Sequence, residues 1–342
     1  MIEKQNIDIL TFSHTDAKKI SIIIHKNPDG DALGSSFGLA YYLENMKTDL
    51  EVFIISPTDI PEYFNWILSY RNILIHTKDP SETTNAIMHS QIIYMLDFND
   101  YKRMDNLAEI VESTNAFKIL IDHHPSPKII ADIDFSFPQI SSTAEIIWNI
   151  MKEWNLKYID KKVAEFIYLG ILSDTGCFCY NSTDENTHKA AAEILSYKIN
   201  KELIINRLYR NYSEERTRFL GYLLYKKMKI YNNKTIALIP ISNEDKKRFN
   251  YKKGDHEEIV NIPLTISQVH ISFLFLEDEE NKVRISIRSI GDYPVNNIAA
   301  KYFDGGGHKN ASGGTFYGNI TEAIKYFEYK VLPILQVNEN KI

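Results

Sequence analysis

Short apolar runs that each stop at an ionisable residue are the feature that most restricts the fold of this chain. Four of them lie in its first half: 20–24 before His25, 92–96 before Asp97, 117–121 before Asp122-His123-His124, and 167–172 before Ser173-Asp174. Charged side chains are costly inside a core but are tolerated at the edge of a sheet. The pattern therefore predicts one shared polar site built from segments that are distant in sequence.

Strand-like and helix-like segments alternate through this half of the chain. Brief runs rich in Ile and Val predict buried strands at 21–24, 51–55, 73–75, 92–96 and 118–121, and amphipathic patterns predict helices at 35–45, 61–69 and 101–112. Strands that alternate with helices favour crossover connections and a mostly parallel sheet. Residues 167–172 fit a buried strand or a buried helix equally well.

The texture of the sequence changes twice beyond this region. Residues 182–224 are polar and helical, and strand-like runs follow at 235–241, 269–276 and 282–290. We therefore predict an α/β fold with three parts: a mostly parallel sheet flanked by helices in 1–184, a helical connector in 185–224, and a smaller α+β domain in 225–342. A length of 342 residues is enough for two domains with separate cores.

Composition narrows the classes of function. A net charge of -6 argues against a large unselective surface for polyanions and favours a pocket where positive charge is concentrated, as metal ions would do. No run approaches a membrane span, and charged residues interrupt the first ten positions, so we expect a cytoplasmic protein without membrane partners. The two cysteines, Cys177 and Cys179, are too close together to join distant segments and are interpreted as packing residues.

The first polar segment, 25–31, has the composition of a metal site. His25 ends its strand, and Asp29 and Asp31 follow in a tight Pro/Gly loop ahead of a helix predicted to begin near Ser35. Two carboxylates two residues apart project in different directions, so each can face a different ion while the imidazole completes one coordination shell.

The next two polar segments extend this site. Asp97 stands alone at its strand end and is suited to bridge two ions. Arg103, close behind it, could contact a substrate phosphate or pair with Asp100 at the surface. Of the adjacent His123 and His124, one is expected to bind metal and the other to face substrate, because neighbouring side chains do not easily enter one coordination sphere.

In this order the motifs resemble the DHH phosphoesterase superfamily. The first domain carries His-x-x-x-Asp-x-Asp, a lone Asp, Asp-His-His and Ser-Asp-Thr-Gly, and the Gly-rich segment 305–314, preceded by 286–289, resembles the DHH-associated domain. The resemblance spans nearly the whole chain. Its length and the segment 97–103 are most similar to the branch that hydrolyses oligoribonucleotides and 3'-phosphoadenosine 5'-phosphate.

The resemblance implies a role for each matching residue. One ion is expected on His25, Asp29 and Asp97, and a second on Asp31, Asp97, His123 and Asp174. The metal is usually manganese, with magnesium or cobalt as alternatives. Catalytic roles fall to His124 at the scissile phosphate and to Asp122, which orients the histidine pair. Residues 167–172 would then form a helix that delivers Asp174.

In the second domain the resemblance implies substrate contacts, and Arg103 of the first domain is a further candidate. Arg288 and His308 match positions that hold a terminal phosphate or nucleotide, Ser289 adjoins them, and the backbone of Gly305, Gly306 and Gly307 permits close approach. Expected substrates are short single-stranded RNA, dinucleotides and 3'-phosphoadenosine 5'-phosphate, hydrolysed by two-metal activation of water. A homodimer is compatible with the resemblance.

Other activities of the same superfamily stay open at this stage. A cyclic dinucleotide phosphodiesterase often carries membrane helices and a sensory region, and a long-substrate single-strand exonuclease should carry a basic channel; neither feature is found in this sequence. Class II inorganic pyrophosphatases have a different C-terminal motif. A catalytically silent nucleotide-binding protein would have no need for a complete set of ligands.

Overall fold

A computed structural model describes residues 2–180, 182–231, 234–278 and 281–339. The chain divides into two compact units, Met1–Asn211 and Tyr212–Ile342. Within the segment predicted as a connector, the helices Glu185–Leu195 and Lys201–Tyr209 fall in the first unit, and the helix Glu214–Tyr222 falls in the second.

The first unit is built on a six-stranded sheet. Its strands are β1 (Lys19–Ile24), β2 (Glu51–Ser56), β3 (Leu74–Ile75), β4 (Ile92–Leu96), β5 (Phe117–Asp122) and β6 (Ile133–Ser136). The order is β3-β2-β1-β4-β5-β6, and every pairing is parallel. The direction of strand succession reverses between β1 and β4, and such a switch point opens a crevice at the carboxyl ends of the two strands.

Helices cover both faces of this sheet. They are α1 (Lys4–His14), α2 (Gly30–Met46), α3 (Pro80–Met88), α4 (Leu107–Ser113), α5 (Thr143–Asn155), α6 (Lys161–Asp174), α7 (Glu185–Leu195) and α8 (Lys201–Tyr209), with 3-10 turns at Glu62–Ser69, Tyr101–Met104 and Leu156–Tyr158. Ile22 packs under α2, α5 and α6, whereas its neighbour Ile23 packs under α3 and α4. Burial on both faces explains why the strands are continuous apolar runs.

The structure confirms the predicted fold class and corrects several boundaries. The helix expected from Ser35 begins at Gly30, because the Asp29 carboxylate caps it by accepting hydrogen bonds from the backbone N–H groups of Asp31 and Ala32. The segment 61–69 is a 3-10 helix, and 101–112 is divided by Asp105, whose φ is 47°. Residues 167–172 belong to α6, so Asp174 is delivered by a helix end and not by a strand end.

The second unit contains a mixed six-stranded sheet in the order β11-β12-β10-β9-β8-β7, in which only β8 and β9 pair in parallel. Apolar clusters pack on both faces of this sheet. Its strands are β7 (Lys229–Tyr231), β8 (Ile236–Ile241), β9 (Ile271–Glu277), β10 (Lys282–Ser289), β11 (Gly306–His308) and β12 (Ala311–Tyr317). Its helices are α9 (Glu214–Tyr222), α10 (Asn243–Arg248), α11 (Val295–Tyr302), α12 (Ile320–Tyr326) and α13 (Leu332–Glu339), with π turns at Leu223–Lys227 and Phe327–Val331 and a 3-10 turn at Ile259–Thr265.

None of the helices in the described part of the chain combines the length and the apolar character that crossing a membrane would require.

Candidate metal centre

Two small-residue contacts bring α2 and α6 unusually close together at the sheet edge. A Cβ atom on Gly34 would lie 2.5 Å from the backbone nitrogen of Gly170, and a Cβ atom on Gly170 would lie 2.8 Å from Oδ1 of Asp31. Larger side chains at either position would separate the two helices. The glycines therefore bring the first turn of α2, with Asp31, against the end of α6, which carries Asp174.

Asp97 lies at the centre of the site, directly after β4. Its backbone is in the left-handed region, with a φ of 67°, which Asp tolerates better than most residues. Oδ2 of Asp97 lies 3.4 Å from Nε2 of His25, whereas Oδ1 lies 3.5 Å from Nε2 of His123. Each carboxylate oxygen thus faces a different histidine.

Two groups of metal-ligating side chains share Asp97. His25, Asp29 and Asp97 form one group, and Asp31, Asp97 and His123 form the other, with candidate ligand atoms within 4.8 Å of one another in each. Asp174 extends the second group, because its Oδ2 lies 3.1 Å from Nε2 of His123. These are the two ligand sets that the resemblance implied.

His124 has different surroundings from its neighbour. Its Nδ1 lies 2.7 Å from Oδ1 of the fully buried Asp122, and Nε2 lies 3.4 Å from a guanidinium nitrogen of Arg103. Hydrogen bonding to Asp122 fixes the orientation of the His124 ring and favours a proton on Nδ1. The adjacent imidazoles therefore point to different partners.

Burial and clustered charge shift the acid–base properties of these groups. Burial opposes protonation of His25, but hydrogen bonds to Asp29 and Asp97 outweigh it and raise the pKa of His25 to about 9. Burial also opposes protonation of His123, and Asp174 outweighs it and raises the pKa of His123 to about 10. The pKa of Asp31 is raised well above its ordinary value by burial and by the neighbouring Asp97 and Asp174.

The residues present fit divalent cations. Nδ1 of His25 lies 2.8 Å from the carbonyl oxygen of Lys26, so it carries the ring proton in the neutral tautomer. Nε2 of His25 is buried without a hydrogen-bond partner and is directed towards the carboxylates. An imidazole held by a backbone carbonyl, with its other nitrogen facing carboxylates, is a common arrangement of a metal ligand. Cations would also offset the repulsion among the clustered carboxylates.

Arg103 lies beside this cluster and not in a surface ion pair with Asp100. Asp100 instead accepts a hydrogen bond from the Lys128 ammonium at 3.0 Å and caps the backbone N–H of Lys102. The backbone of Arg103 is anchored by a hydrogen bond from Lys26 N–H to its carbonyl oxygen, at 2.8 Å. Of the two interpretations that the sequence left open, the geometry favours the one in which Arg103 faces a phosphate.

In the second unit, Arg288 and His308 lie on one face of the sheet. Arg288 on β10 is opposite Ala311 on β12, and Ala311 is opposite His308 on β11. Directly opposed residues of antiparallel strands point to the same side, and the two outer strands are roughly 10 Å apart. Ser289 does not share this direction: its hydroxyl donates a hydrogen bond to the Tyr293 carbonyl and accepts one from Asn310.

The three consecutive glycines have unequal roles in the hairpin of β11 and β12. A Cβ atom on Gly305 would collide with the backbone of Gly313, and one on Gly307, whose φ is 133°, would meet the backbone of Ala311 at 2.7 Å. A Cβ atom on Gly306 would meet nothing within 4 Å. Packing within the unit therefore accounts for Gly305 and Gly307, and Gly306 is the exposed position at which another molecule could approach the backbone.

The sequence analysis missed one contributor to the site, the start of α5. The backbone N–H groups of Thr143 and Ala144 donate hydrogen bonds to Asp31, and the Thr143 hydroxyl donates one to Asp97. The sequence 141–145, Ser-Ser-Thr-Ala-Glu ahead of an amphipathic run, has the composition of a helix N-terminus and could have identified α5.

Comparison with known proteins agrees with this geometry. Residues 19–171 match the DHH family N-terminal domain, and residues 222–331 match the DHHA1 domain. The crystal structure of an exopolyphosphatase-related protein from Bacteroides fragilis superposes with a TM-score of 0.91 and 41% identity over 96% of both chains.

Two curated relatives are similar over most of their length. One is the bifunctional oligoribonuclease and PAP phosphatase NrnA of Bacillus subtilis, 26% identical over 87% of this chain and 90% of the relative. The other, from Streptococcus mutans, is named a probable bifunctional oligoribonuclease and PAP phosphatase NrnA and is 28% identical over 91% of this chain and 94% of the relative. The chain belongs to the DHH family of metal-dependent phosphoesterases, as its motifs predicted.

Proposed function

We propose that this protein hydrolyses short oligoribonucleotides to mononucleotides and 3'-phosphoadenosine 5'-phosphate to AMP and phosphate. The observation that carries the proposal is the pair of ligand groups that share Asp97, because a carboxylate between two ions is the arrangement that two-metal phosphoester hydrolysis requires. The names of the relatives from Bacillus and Streptococcus supply the substrate class.

The ions would be held by the two groups already described. His25, Asp29 and Asp97 would hold one, and Asp31, Asp97, His123 and Asp174 the other. Four carboxylates with two imidazoles suit an ion intermediate in hardness, so we propose Mn²⁺, with Mg²⁺ or Co²⁺ as alternatives. When bound, the ions supply polarisation of the phosphoryl oxygens and a lowered pKa for water.

The remaining residues would bind and orient the substrate. Asp122 holds the His124 ring by its Nδ1, so that Nε2 can donate a proton to, or accept one from, an oxygen of the scissile phosphate. The Arg103 guanidinium, 3.4 Å from that nitrogen, would offset phosphate charge at the same place. In the second unit, Arg288 and His308 would bind the far nucleotide, with Ser289 supporting the hairpin and Gly306 permitting close approach.

A comparison of substrates tests this proposal. Metal-stripped protein reloaded with Mn²⁺ should hydrolyse di- to pentaribonucleotides and 3'-phosphoadenosine 5'-phosphate faster than a cyclic dinucleotide or pyrophosphate. Inorganic polyphosphate belongs in the same comparison, because the relative from Bacteroides fragilis is described as exopolyphosphatase-related. Preference for polyphosphate would replace the nucleotide proposal, and a lack of turnover on every substrate would favour a silent binding protein.

A further inference from the structure

The first turn of α5 holds two carboxylates of the candidate metal centre. The backbone N–H of Thr143 donates to Oδ2 of Asp31 at 2.7 Å, and that of Ala144 donates to Oδ1 at 2.9 Å. The Thr143 hydroxyl donates to Oδ1 of Asp97 at 3.0 Å. Thr143 and Asp31 are fully buried, and Asp97 is 2% exposed. No other helix start in the described residues makes printed contacts with both carboxylates.

These donors are available because another residue caps the helix. The first N–H groups of an α-helix have no partner within the helix. The Ser142 hydroxyl accepts the N–H of Glu145 at 3.1 Å, which leaves those of Thr143 and Ala144 for Asp31. The partial positive charge at the start of this 13-residue helix favours the charged form of that carboxylate.

The Thr143 hydroxyl restricts how the Asp97 carboxylate can turn. Oδ1 of Asp97 accepts this hydrogen bond on the side that faces His123, and Oδ2 faces His25. Rotation of the carboxylate would break the bond to Thr143 and would also take both oxygens away from their histidines. The bridging orientation and the hydroxyl contact therefore occur together.

We propose that Thr143 is a positioning residue of the metal centre, whose hydroxyl sets the bridging orientation of Asp97 and whose backbone N–H fixes Asp31. The part of this inference that concerns turnover rests on the proposed function, and the part that concerns metal binding does not. Groups that orient metal ligands typically change metal affinity or activity by roughly 10- to 100-fold when removed.

The competing explanation is that Thr143 only satisfies its own hydroxyl at a buried helix start. Thr83 provides the matched control. It is fully buried in the first turn of α3, and its hydroxyl donates to the carbonyl oxygen of Asp79 at 2.9 Å, with no printed contact to the metal-ligand groups. Thr→Val at either position removes a buried hydroxyl and retains the backbone N–H and the branched shape.

The experiment compares Thr143→Val, Thr143→Ser and Thr83→Val with the wild-type chain. Calorimetric titration of each metal-stripped protein with Mn²⁺ gives affinity and stoichiometry, and steady-state assays on a diribonucleotide give kcat and KM separately. Thr143→Val should lose roughly 10- to 100-fold in affinity for at least one Mn²⁺ and a similar factor in kcat, with KM little changed. Thr143→Ser should restore both, and Thr83→Val should bind Mn²⁺ as the wild type does.

Wild-type Mn²⁺ affinity in Thr143→Val would overturn the inference, as would an equal loss in Thr83→Val. If Thr143→Val does not fold, Thr143→Ala removes the same hydroxyl with a smaller side chain, and wild-type affinity in that variant is equally decisive against it. A wild-type protein that turns over no substrate but loses Mn²⁺ affinity through Thr143→Val would end the proposed function and support the positioning role.

Discussion

At the scale of single residues, His123 and His124 differ in their neighbours although they are adjacent in sequence. Nε2 of His123 lies 3.1 Å and 3.5 Å from the carboxylates of Asp174 and Asp97, whereas Nδ1 of His124 lies 2.7 Å from Asp122. The sequence predicted that one imidazole binds metal and the other faces substrate. The positions of the neighbouring carboxylates favour His123 as the ligand.

This difference gives a paired prediction. His124→Ala should lower kcat by roughly 10²- to 10⁴-fold, the usual contribution of a proton-transfer group, while two equivalents of Mn²⁺ still bind. His123→Ala should lose one equivalent. Metal analysis of the dialysed proteins beside the kinetic assays would check both variants. Loss of an ion from His124→Ala, with both ions retained by His123→Ala, would exchange the two roles.

His14 has a structural role far from the candidate centre along the chain. Its Nδ1 lies 2.7 Å from the carbonyl oxygen of Leu10, and its Nε2 lies 3.0 Å from the hydroxyl of Tyr94. The neutral tautomer satisfies both contacts, with Nδ1 donating and Nε2 accepting. Burial lowers the pKa of His14 to about 4.

The sign of this pKa shift predicts acid instability. Because the pKa is lower in the folded state than the ordinary 6.5, the contribution of His14 to stability is present above about pH 6.5 and is lost as the pH falls towards 4. The full loss is on the order of 3 kcal/mol. Denaturant unfolding between pH 4 and 7 should show a shallower pH dependence in His14→Gln than in the wild type. Parallel curves for the two proteins would contradict this assignment.

At the scale of elements, the crossing of α2 and α6 decides where Asp31 and Asp174 meet. Gly34 faces the backbone of Gly170 and the carbonyl oxygen of Phe166, the latter 2.6 Å from where a Cβ atom would stand. Backbone atoms cannot move aside as a flexible side chain can. The separation of these helices is therefore coupled to the geometry of the candidate centre.

Gly34→Ala should consequently destabilise the protein by about 1–3 kcal/mol, as overpacking of a core usually does, and should also weaken Mn²⁺ binding. Gly221→Ala is the matched control, because Gly221 lies in α9 with nothing within 4 Å of a new Cβ atom. That variant should be neutral or more stable by up to about 1 kcal/mol. Thermal unfolding and Mn²⁺ titration of both proteins would measure the difference; equal stability of the two variants would show that α2 and α6 can separate freely.

At the scale of the whole molecule, the two units divide the proposed work between chemistry and substrate binding. Arg288 is suited to the second task, because its printed side-chain hydrogen bond is to the carbonyl oxygen of Ile287. The acidic partners considered from the sequence are engaged elsewhere: Asp292 pairs with Lys309, and Asp304 lies 3.5 Å from the Tyr317 hydroxyl. No ion pair printed for the described residues involves Arg288.

Arg288→Ala should lower kcat/KM for a diribonucleotide by roughly 10- to 100-fold, because a charge-assisted hydrogen bond contributes about 1.5–3 kcal/mol. Hydrolysis of bis-nitrophenyl phosphate, which has no second nucleotide, should change little. Arg284→Ala is the control on the same strand, where Arg284 pairs with Asp278 at 3.7 Å. Equal losses on both substrates with a lower Tm would assign Arg288 to the fold instead.

The sequence alone determined the α/β class, the strands that end at the centre, and the side chains that meet there. Apolar runs that end at Asp and His constrain these features locally, because a buried strand can place charge only at its end. Tertiary structure decided that 167–172 is helical, since a run buried on every side has no distinguishing period. Contacts distant in sequence also decided that the start of α5 holds Asp31 and Asp97, and that packing accounts for Gly305 and Gly307 but not Gly306.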